Sequence, residues 1–332
     1  MRTAFAPGRV NLIGDHTDYT GGYVLPMAID LGITVSVEMG GDRVVLKSGN
    51  ERDVLDLPIR LSDARTTGDG WARYVAGVVA EIRPVTGATG TVISTLPSGV
   101  GLASSAALEV AVALALGYAG TPPDLAVACQ RAEQRYAGVP CGIMDQLAST
   151  SGVAGHALLI DCSSNEVKPI PFPEGCEVVA IPSGERRSLW NSAYAERRSA
   201  CERAAFYLGP LRAAALVDVA TLTDPVLLRR ARHVVTENRR VLDFATFFRH
   251  GKLVEAGQLM YESHASLRDD FEVSTPALDA LVERLRATRG VFGARLTGAG
   301  FGGCVVALAR PGVLSEGWRL KPSDGARVLE HT

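Results

Sequence analysis

The sequence has no surplus of charge. Its 34 Lys and Arg stand against 36 Asp and Glu, a formal net charge of −2, so it offers no field for holding a nucleic-acid backbone or an anionic membrane surface. Nothing in it approaches the roughly eighteen consecutive apolar residues of a membrane span. Its most apolar stretch, Ala106 to Gly117, is short and carries Glu109. The first residues contain Arg2 but no apolar run behind it, so no secretory signal is expected there. The six cysteines include no Cys-x-x-Cys pair, and the six histidines no His-x-x-x-His or His-Glu-x-x-His pair. Those absences predict reduced thiols in a cytoplasmic protein with no structural metal site, any metal arriving with a substrate.

What is present is a globular composition, 47% hydrophobic and 21% charged, over 332 residues. That is more chain than one hydrophobic core usually holds. The proline-rich piece from Pro169 to Pro173 is the best boundary, giving domains at 1–173 and 174–332. Strand patterns run over Tyr23 to Met39, Arg43 to Lys47, Thr89 to Thr95, and three short stretches between Ala157 and Pro182. Helical periodicity covers Trp71 to Ile82, Ser104 to Leu116 and Leu125 to Tyr136. It then dominates from Tyr194 as five segments, roughly 194–208, 225–232, 236–249, 251–264 and 276–289. Strand returns at Arg295 to Thr297 and Cys304 to Ala309. Strands, then helices, then strands predict an α+β protein rather than a regular βαβ series.

The 35 glycines are clustered: Gly8, Gly14, Gly21 and Gly22; Gly99 and Gly101; and five between Gly293 and Gly303. They are either three ordinary tight turns or three loops converging on one ligand, since glycine serves where backbone must take positive φ or approach closely. In the second cluster a strand ends, a glycine turn follows, and an Ala-rich helix starts at Ser104 and Ser105. Helix N-termini with glycine-rich approaches hold phosphate. No Gly-Lys-[Ser/Thr] is present, so this is not a Walker A loop, and the third glycine of a dinucleotide fingerprint is missing. The bland alternative is that Ser104 is a plain N-cap. Around the first cluster, Arg9, Asp15, His16, Thr17, Asp18 and Tyr19 make a set suited to a polyol, because carboxylates accept from sugar hydroxyls; a solvated turn with surface ion pairs would read the same. In Cys141-Gly142-Ile143-Met144-Asp145-Gln146, Asp145 sits among apolar neighbours, where a cation such as Arg9 would keep it ionised, or it caps the following helix.

At these residues a family resemblance enters. Gly8-Arg9-Val10-Asn11-Leu12-Ile13-Gly14-Asp15-His16-Thr17-Asp18-Tyr19 resembles the galactokinase signature. Gly99-Val100-Gly101-Leu102-Ala103-Ser104-Ser105-Ala106 resembles the phosphate motif of the wider GHMP kinases (galactokinase, homoserine kinase, mevalonate kinase, phosphomevalonate kinase). Leu296-Thr297-Gly298-Ala299-Gly300-Phe301-Gly302-Gly303-Cys304 resembles their third motif. The stretches Ala132-Glu133 through Gly138 to Gln146, Ala231 to Asn238 and Ser263 to Ser274 are similar to galactokinases in particular. The resemblance runs from about Ala6 to Leu308, nearly the whole chain. It implies an N-terminal domain like the ribosomal S5 second domain, a C-terminal ferredoxin-like domain, and an active site in the cleft between them. It implies phosphoryl transfer from Mg-ATP to the anomeric hydroxyl of α-D-galactose, giving galactose 1-phosphate and ADP, with ATP and Mg²⁺ as cofactors, in a monomer or homodimer.

Carried over by position, Asp145 is the catalytic base and Arg9 its partner. Asp15, His16, Asp18, Gly142, Asp145 and Tyr194 contact sugar, and Ser105 and Glu133 ligate Mg²⁺. Gly99, Val100, Gly101, Leu102, Ala103, Ser104 and Ser105 cradle phosphate. Trp71 lies near the adenine, or is packing.

Three departures stand out. Position 15 is Asp where the family usually has Glu, which leaves room for a related sugar or relaxed selectivity. Ala103 replaces a common serine. The segment from Pro311 to Gly317 is too short for the helix that usually precedes the last strand, which predicts an uncovered apolar sheet face. A non-catalytic galactose and ATP sensor is the third reading, weakened by the presence of Arg9, Ser104, Ser105 and Asp145.

Overall fold

Three sheets organise the computed structural model, which describes residues 1–49, 54–61, 70–97, 99–185 and 190–330. The first has six strands in the order β13-β1-β3-β6-β4-β5. These are β1 (Arg2–Asn11), β3 (Pro26–Met39), β4 (Arg43–Ser48), β5 (Val54–Pro58), β6 (Ala88–Ser94) and β13 (Arg327–Leu329). The second, of four strands, runs β10 (Val291–Thr297), β11 (Cys304–Ala309), β9 (Glu177–Pro182) and β12 (Trp318–Leu320). The third joins β2 (Tyr23–Val24), β7 (His156–Asp161) and β8 (Glu166–Pro171). Neighbouring strands are antiparallel except β4 and β6. The architecture is mixed α+β, as expected.

Helices α1 (Trp71–Ile82), α2 (Ser104–Ala115), α3 (Pro122–Ala132) and α4 (Met144–Ser151) pack together, with α2 and α4 lying against β1 and β3. Alanines and valines make α2 buried almost all round, as its sequence predicts. A single π-helical turn, Glu133–Ala137, follows α3. After β9 come α5 (Trp190–Leu208), α6 (Leu216–Val219), α7 (Pro225–Arg249), α8 (Leu253–Asp269) and α9 (Pro276–Arg286).

Two expectations are corrected. The separate helices at 225–232 and 236–249 are one helix, α7. Its start is fixed by Asp224, whose side chain accepts from the N–H groups of Val226 and Leu227, with Pro225 in the first turn. Its middle carries β-branched and polar residues of modest helix propensity, but His233, Val234 and Glu237 are buried there, and packing overrides propensity. Nor does the short segment after Arg310 leave a sheet face bare. Val178, Ala180, Val306 and Leu308 point into one core with Phe244 and Met260. Val179, Ile181, Val305 and Ala307 point into a second core with Phe271, Leu278 and Leu285. Leu314, from the shortened segment itself, is buried in that second core. The sheet is thus covered on both faces.

Candidate active site

Asp145 is the second residue of α4, and Ile143 rather than Asp145 occupies the cap position. Its carboxylate turns to β1, where Arg9 donates from Nε to Oδ1 at 2.7 Å and from Nη2 to Oδ2 at 2.6 Å. This is the fork-on-carboxylate geometry of the strongest charged hydrogen bonds. Nη1 of Arg9 donates to the Gly101 carbonyl at 2.7 Å, and the Arg9 N–H to the Leu102 carbonyl at 3.2 Å. One guanidinium therefore joins the aspartate to the glycine-rich turn. Arg9 is buried while the Asp145 side chain keeps 28% exposure, so the cation is fixed and the carboxylate is reachable.

The glycine turn enters α2 through Ala103, a non-glycine residue at φ 58°. Ser104 is the first helical residue, not a cap, and among the described residues no side chain caps this helix. Its N-terminal N–H groups face a cleft of about 830 Å³ that runs from Trp71, Tyr74, Ile33 and Val92 at one end to His16, Tyr194 and Gly298 at the other. Every proposed site residue except Val100 lines that cleft. Contributions come from β1, α2, α4, α5 and the loop after β10, so the three glycine clusters do meet at one place.

Gln146 Nε2 donates to Glu133 Oε2 at 2.6 Å, and the nearby Ser105 side chain helps hold that carboxyl down. Burial, then the neighbouring Asp145 charge, raises the Glu133 pKa to about 7. Glu109, fully buried beside it, is pushed well above the ordinary carboxyl range by burial and by Glu133, and among the described residues its Oε1 has no hydrogen-bond partner. This surplus of buried acid is what a divalent cation relieves. A hydroxyl and a carboxylate, completed by phosphate oxygens, are hard ligands of the right kind for Mg²⁺. Among the described residues no cluster of three or more His, Cys, Asp or Glu could hold a metal by itself.

At the other end, Arg9, Asn11, Asp15, His16 and Thr17 are buried, which rules out a solvated turn. His16 adopts φ 66°. Its Nε2 meets the Ala299 carbonyl at 3.3 Å and its Nδ1 the Tyr19 hydroxyl at 3.1 Å. Burial holds its pKa well below the ordinary histidine value, so the ring is neutral, with Nε2 donating and Nδ1 accepting. Asp18 is pushed up to about 7, first by burial and then by Asp145. A Cβ at position 142 would sit 2.0 Å from Asp18 Oδ2, so only glycine lets this carboxylate pass into the cleft. Asp15 differs from what its position suggests. Its Oδ1 accepts from the Gly298 N–H at 2.8 Å. Its Oδ2 accepts from Asn11 Nδ2 at 2.9 Å and from Arg295.

Several supporting residues have no role in the sequence reading. On α7, His233 Nε2 bonds the Asp15 carbonyl at 3.1 Å, Glu237 Oε1 accepts from the Gly14 N–H at 3.0 Å, and Asn238 Oδ1 from the Tyr23 N–H at 2.7 Å. Burial would raise Glu237, but Arg240, His233 and Arg295 outweigh it and hold the carboxyl down near 2. The signal was available: His233, Glu237 and Asn238 share the helical stripe of Val234 and Val241, so polar groups stand where the pattern calls for apolar ones.

Comparison with known proteins gives three family matches: a galactokinase galactose-binding signature at residues 2–39, a GHMP kinase N-terminal domain at 73–153, and a GHMP kinase C-terminal domain at 244–320. A galactokinase of Chloroflexus aggregans is 44% identical, over 92% of this chain and 83% of its own length. A galactokinase of Chloroflexus aurantiacus matches at the same level. The crystal structure of Lactococcus lactis galactokinase complexed with galactose superposes with a TM-score of 0.90 at 31% identity, covering 99% of this chain and 95% of that one. Mevalonate kinase of Methanococcus jannaschii, at 23% identity and a TM-score of 0.68 over 93% and 90% of the two chains, shares the fold.

Proposed function

The chain belongs to the galactokinase family, and from that premise we propose how its residues move the γ-phosphoryl group of ATP to the anomeric hydroxyl of galactose. The observation that carries the reading is Arg9, hydrogen-bonded at once to Asp145 and to the Gly101 carbonyl of the phosphate turn. Asp145 takes the proton of the anomeric hydroxyl as that oxygen bonds to the γ-phosphorus. The bond from phosphorus to the β,γ-bridging oxygen breaks, and ADP leaves with the electron pair. Positioning and charge neutralisation dominate such transfers. Arg9 supplies both, orienting the carboxylate and placing a fixed positive charge beside the transferring group. The uncapped start of α2 and the turn from Gly99 to Ser105 receive the phosphates, and the apolar end around Trp71, Ile33 and Val92 suits a base. Ser105 and Glu133 would hold Mg²⁺, which neutralises phosphate charge when bound. Asp18, His16, Gly142 and Tyr194 form the sugar subsite. No helix among the described residues is long and apolar enough to cross a membrane. The six cysteines form no disulfide, which supports a cytoplasmic location.

The test is ADP release with Mg-ATP across galactose, 2-deoxygalactose, talose, galactosamine, N-acetylgalactosamine, arabinose, galacturonate and glucose. Turnover on galactose far above its epimers is expected. Tight binding of galactose and ATP without ADP release would overturn the reading in favour of a sensor. One observation favours a second reading, broader selectivity. Both Asp15 oxygens are engaged by Gly298, Asn11 and Arg295, so this side chain adds little discrimination against altered sugars. That reading predicts turnover on arabinose or galacturonate within about tenfold of galactose, a gap of ~1.4 kcal/mol.

Asp18 sets a pH dependence. Its carboxylate must be ionised to accept sugar hydroxyls, and its pKa stands at about 7 in the free protein. At saturating Mg-ATP, kcat/KM for galactose is therefore expected to fall as pH drops below 7. Asp18→Asn should lower kcat/KM at pH 8 by about 10- to 100-fold, the loss of one or two charged hydrogen bonds, and flatten the acid limb. An acid limb unchanged in Asp18→Asn would assign it to another group.

A further inference from the structure

The segment Pro322 to Ala326 has no part in the reaction as described, yet it lies against α4, which carries Asp145, and against β3, the strand paired with the one that carries Arg9. After β12 on the second sheet, the chain crosses to the first. Lys321 exchanges two bonds with Asp30, its N–H donating to Oδ1 at 2.9 Å and its carbonyl accepting from the Asp30 N–H at 3.1 Å. The Ser323 N–H donates to the Ala28 carbonyl at 3.0 Å. Asp324 Oδ1 accepts from the Ala154 N–H at 2.9 Å. The chain then reaches the end of α4. The Gly325 N–H donates to the Gly152 carbonyl at 2.8 Å, and the Ala326 N–H to the Ser149 carbonyl at 2.8 Å. Arg327 to Leu329 finally pair with Phe5 to Thr3 of β1.

Helix carbonyls in the last turn have no intrahelical partner, and α4 is only eight residues long, so its end contacts weigh heavily on its axis. The tail supplies the partner for Ser149. Ser149 in turn uses its hydroxyl elsewhere. Its Oγ donates to the Pro7 carbonyl at 2.8 Å in a buried bond. Pro7 sits where the β1–β3 register shifts, between Pro7 and Arg9, two residues before the arginine. Asp145 lies one turn before Ser149 on the same helix face. Tail, helix end and strand irregularity are thus joined through one residue.

We propose that Ala326, acting through Ser149, is a positioning residue that sets the register of Arg9 against Asp145. The proposal rests on the reading of that pair as the reacting machinery. Sugar and nucleotide are held by other loops, so loosening this seam misplaces the pair without emptying the site. A misplacement of about 1 Å costs up to ~100-fold in rate.

The experiment compares Ala326→Pro, which removes the N–H, with Ala326→Gly, which keeps it, and adds Ser149→Ala, which removes the hydroxyl bond to Pro7. Asp145→Asn is measured alongside. Expected are kcat values at least tenfold down for Ala326→Pro and Ser149→Ala, with KM for galactose and for ATP within twofold of the parent. Ala326→Gly should keep parental kcat. The double variant should fall little below the worse single one, because both act on one path. If Ala326→Pro does not fold, Ser149→Ala decides. Unchanged kcat in the positioning variants with an inactive Asp145→Asn overturns this proposal alone. Rising KM with falling melting temperature in step with kcat reduces the seam to ordinary scaffolding and overturns it as well. An active Asp145→Asn overturns the reading on which it stands.

Discussion

Asp145→Asn lowers kcat by about a thousandfold, within the ~10²–10⁴ range for loss of a positioned general base, while the protein stays folded and still binds galactose and ATP. The amide cannot take the hydroxyl proton. It also offers Arg9 only one acceptor in place of the two now met at 2.7 and 2.6 Å, so the guanidinium loses its fork geometry. Because Arg9 is buried, unpairing it costs stability too, about 1–3 kcal/mol for a charged hydrogen bond broken in the interior. A second effect runs the other way. Asp18 is raised to about 7 partly by the Asp145 charge. Neutralising position 145 removes that repulsion and moves Asp18 back toward the ordinary carboxylate range. Galactose binding by the variant should therefore persist to lower pH than binding by the parent. Single-turnover kinetics separate these effects: the chemical step collapses, whereas galactose affinity at pH 8 is nearly unchanged and at pH 6 improves. A variant with parental single-turnover rates would remove Asp145 from the base role.

The parts of this site that were legible in the sequence are those written locally. A glycine turn followed by two serines opening an Ala-rich helix states its chemistry within ten or so residues, because helix termini and glycine backbone act at short range. The carboxylates, histidine and arginine of residues 9 to 18 are likewise one stretch of chain. The Arg9–Asp145 pair was anticipated from the residues as a cation that could keep an aspartate ionised and from the family resemblance as base and partner, and the geometry supplies the two-point pairing. What the sequence did not display were contacts whose meaning depends on a distant partner. Arg295 lies on a strand among Ala294 and Leu296 and looks like a strand-edge charge until Asp15 is seen to meet it. Glu237 stands out in the sequence as a polar residue on an apolar helix stripe, but that Gly14 and Ser263 meet its carboxylate shows only in the fold. The covered second sheet escaped for a related reason. Both its faces are packed by residues from helices inserted between β9 and β10, far from the shortened segment in sequence, so a missing helix after β11 said nothing about its cover.

Arg295→Met is expected to destabilise the fold by about 3–5 kcal/mol, the usual cost of removing one partner of a buried ion pair, out of a total of roughly 5–15 kcal/mol for a folded protein. Arg295 is fully buried, on β10. It donates to Asp15 and to the Asn11 carbonyl, linking the second sheet to the signature loop of the first. Burial already raises the Asp15 pKa, and Arg295 is the main influence opposing it. Without the guanidinium that pKa climbs further. The sign of the pH effect follows. A carboxyl whose folded-state pKa is raised stabilises fully below its unfolded pKa, about 3.9, and loses that contribution as pH rises toward the folded value. The deficit of Arg295→Met should accordingly be small near pH 4–5 and full at pH 8, read by urea unfolding at both. Adding Asp15→Asn to Arg295→Met removes the buried charge and should recover stability at pH 8 but not at pH 5. Since Asp15 also holds the Gly298 N–H, the single variant should raise KM for galactose as the loops from β1 and β10 part. Equal deficits at both pH values, or no recovery in the double variant, would show that Arg295 contributes by filling space and not by pairing with Asp15.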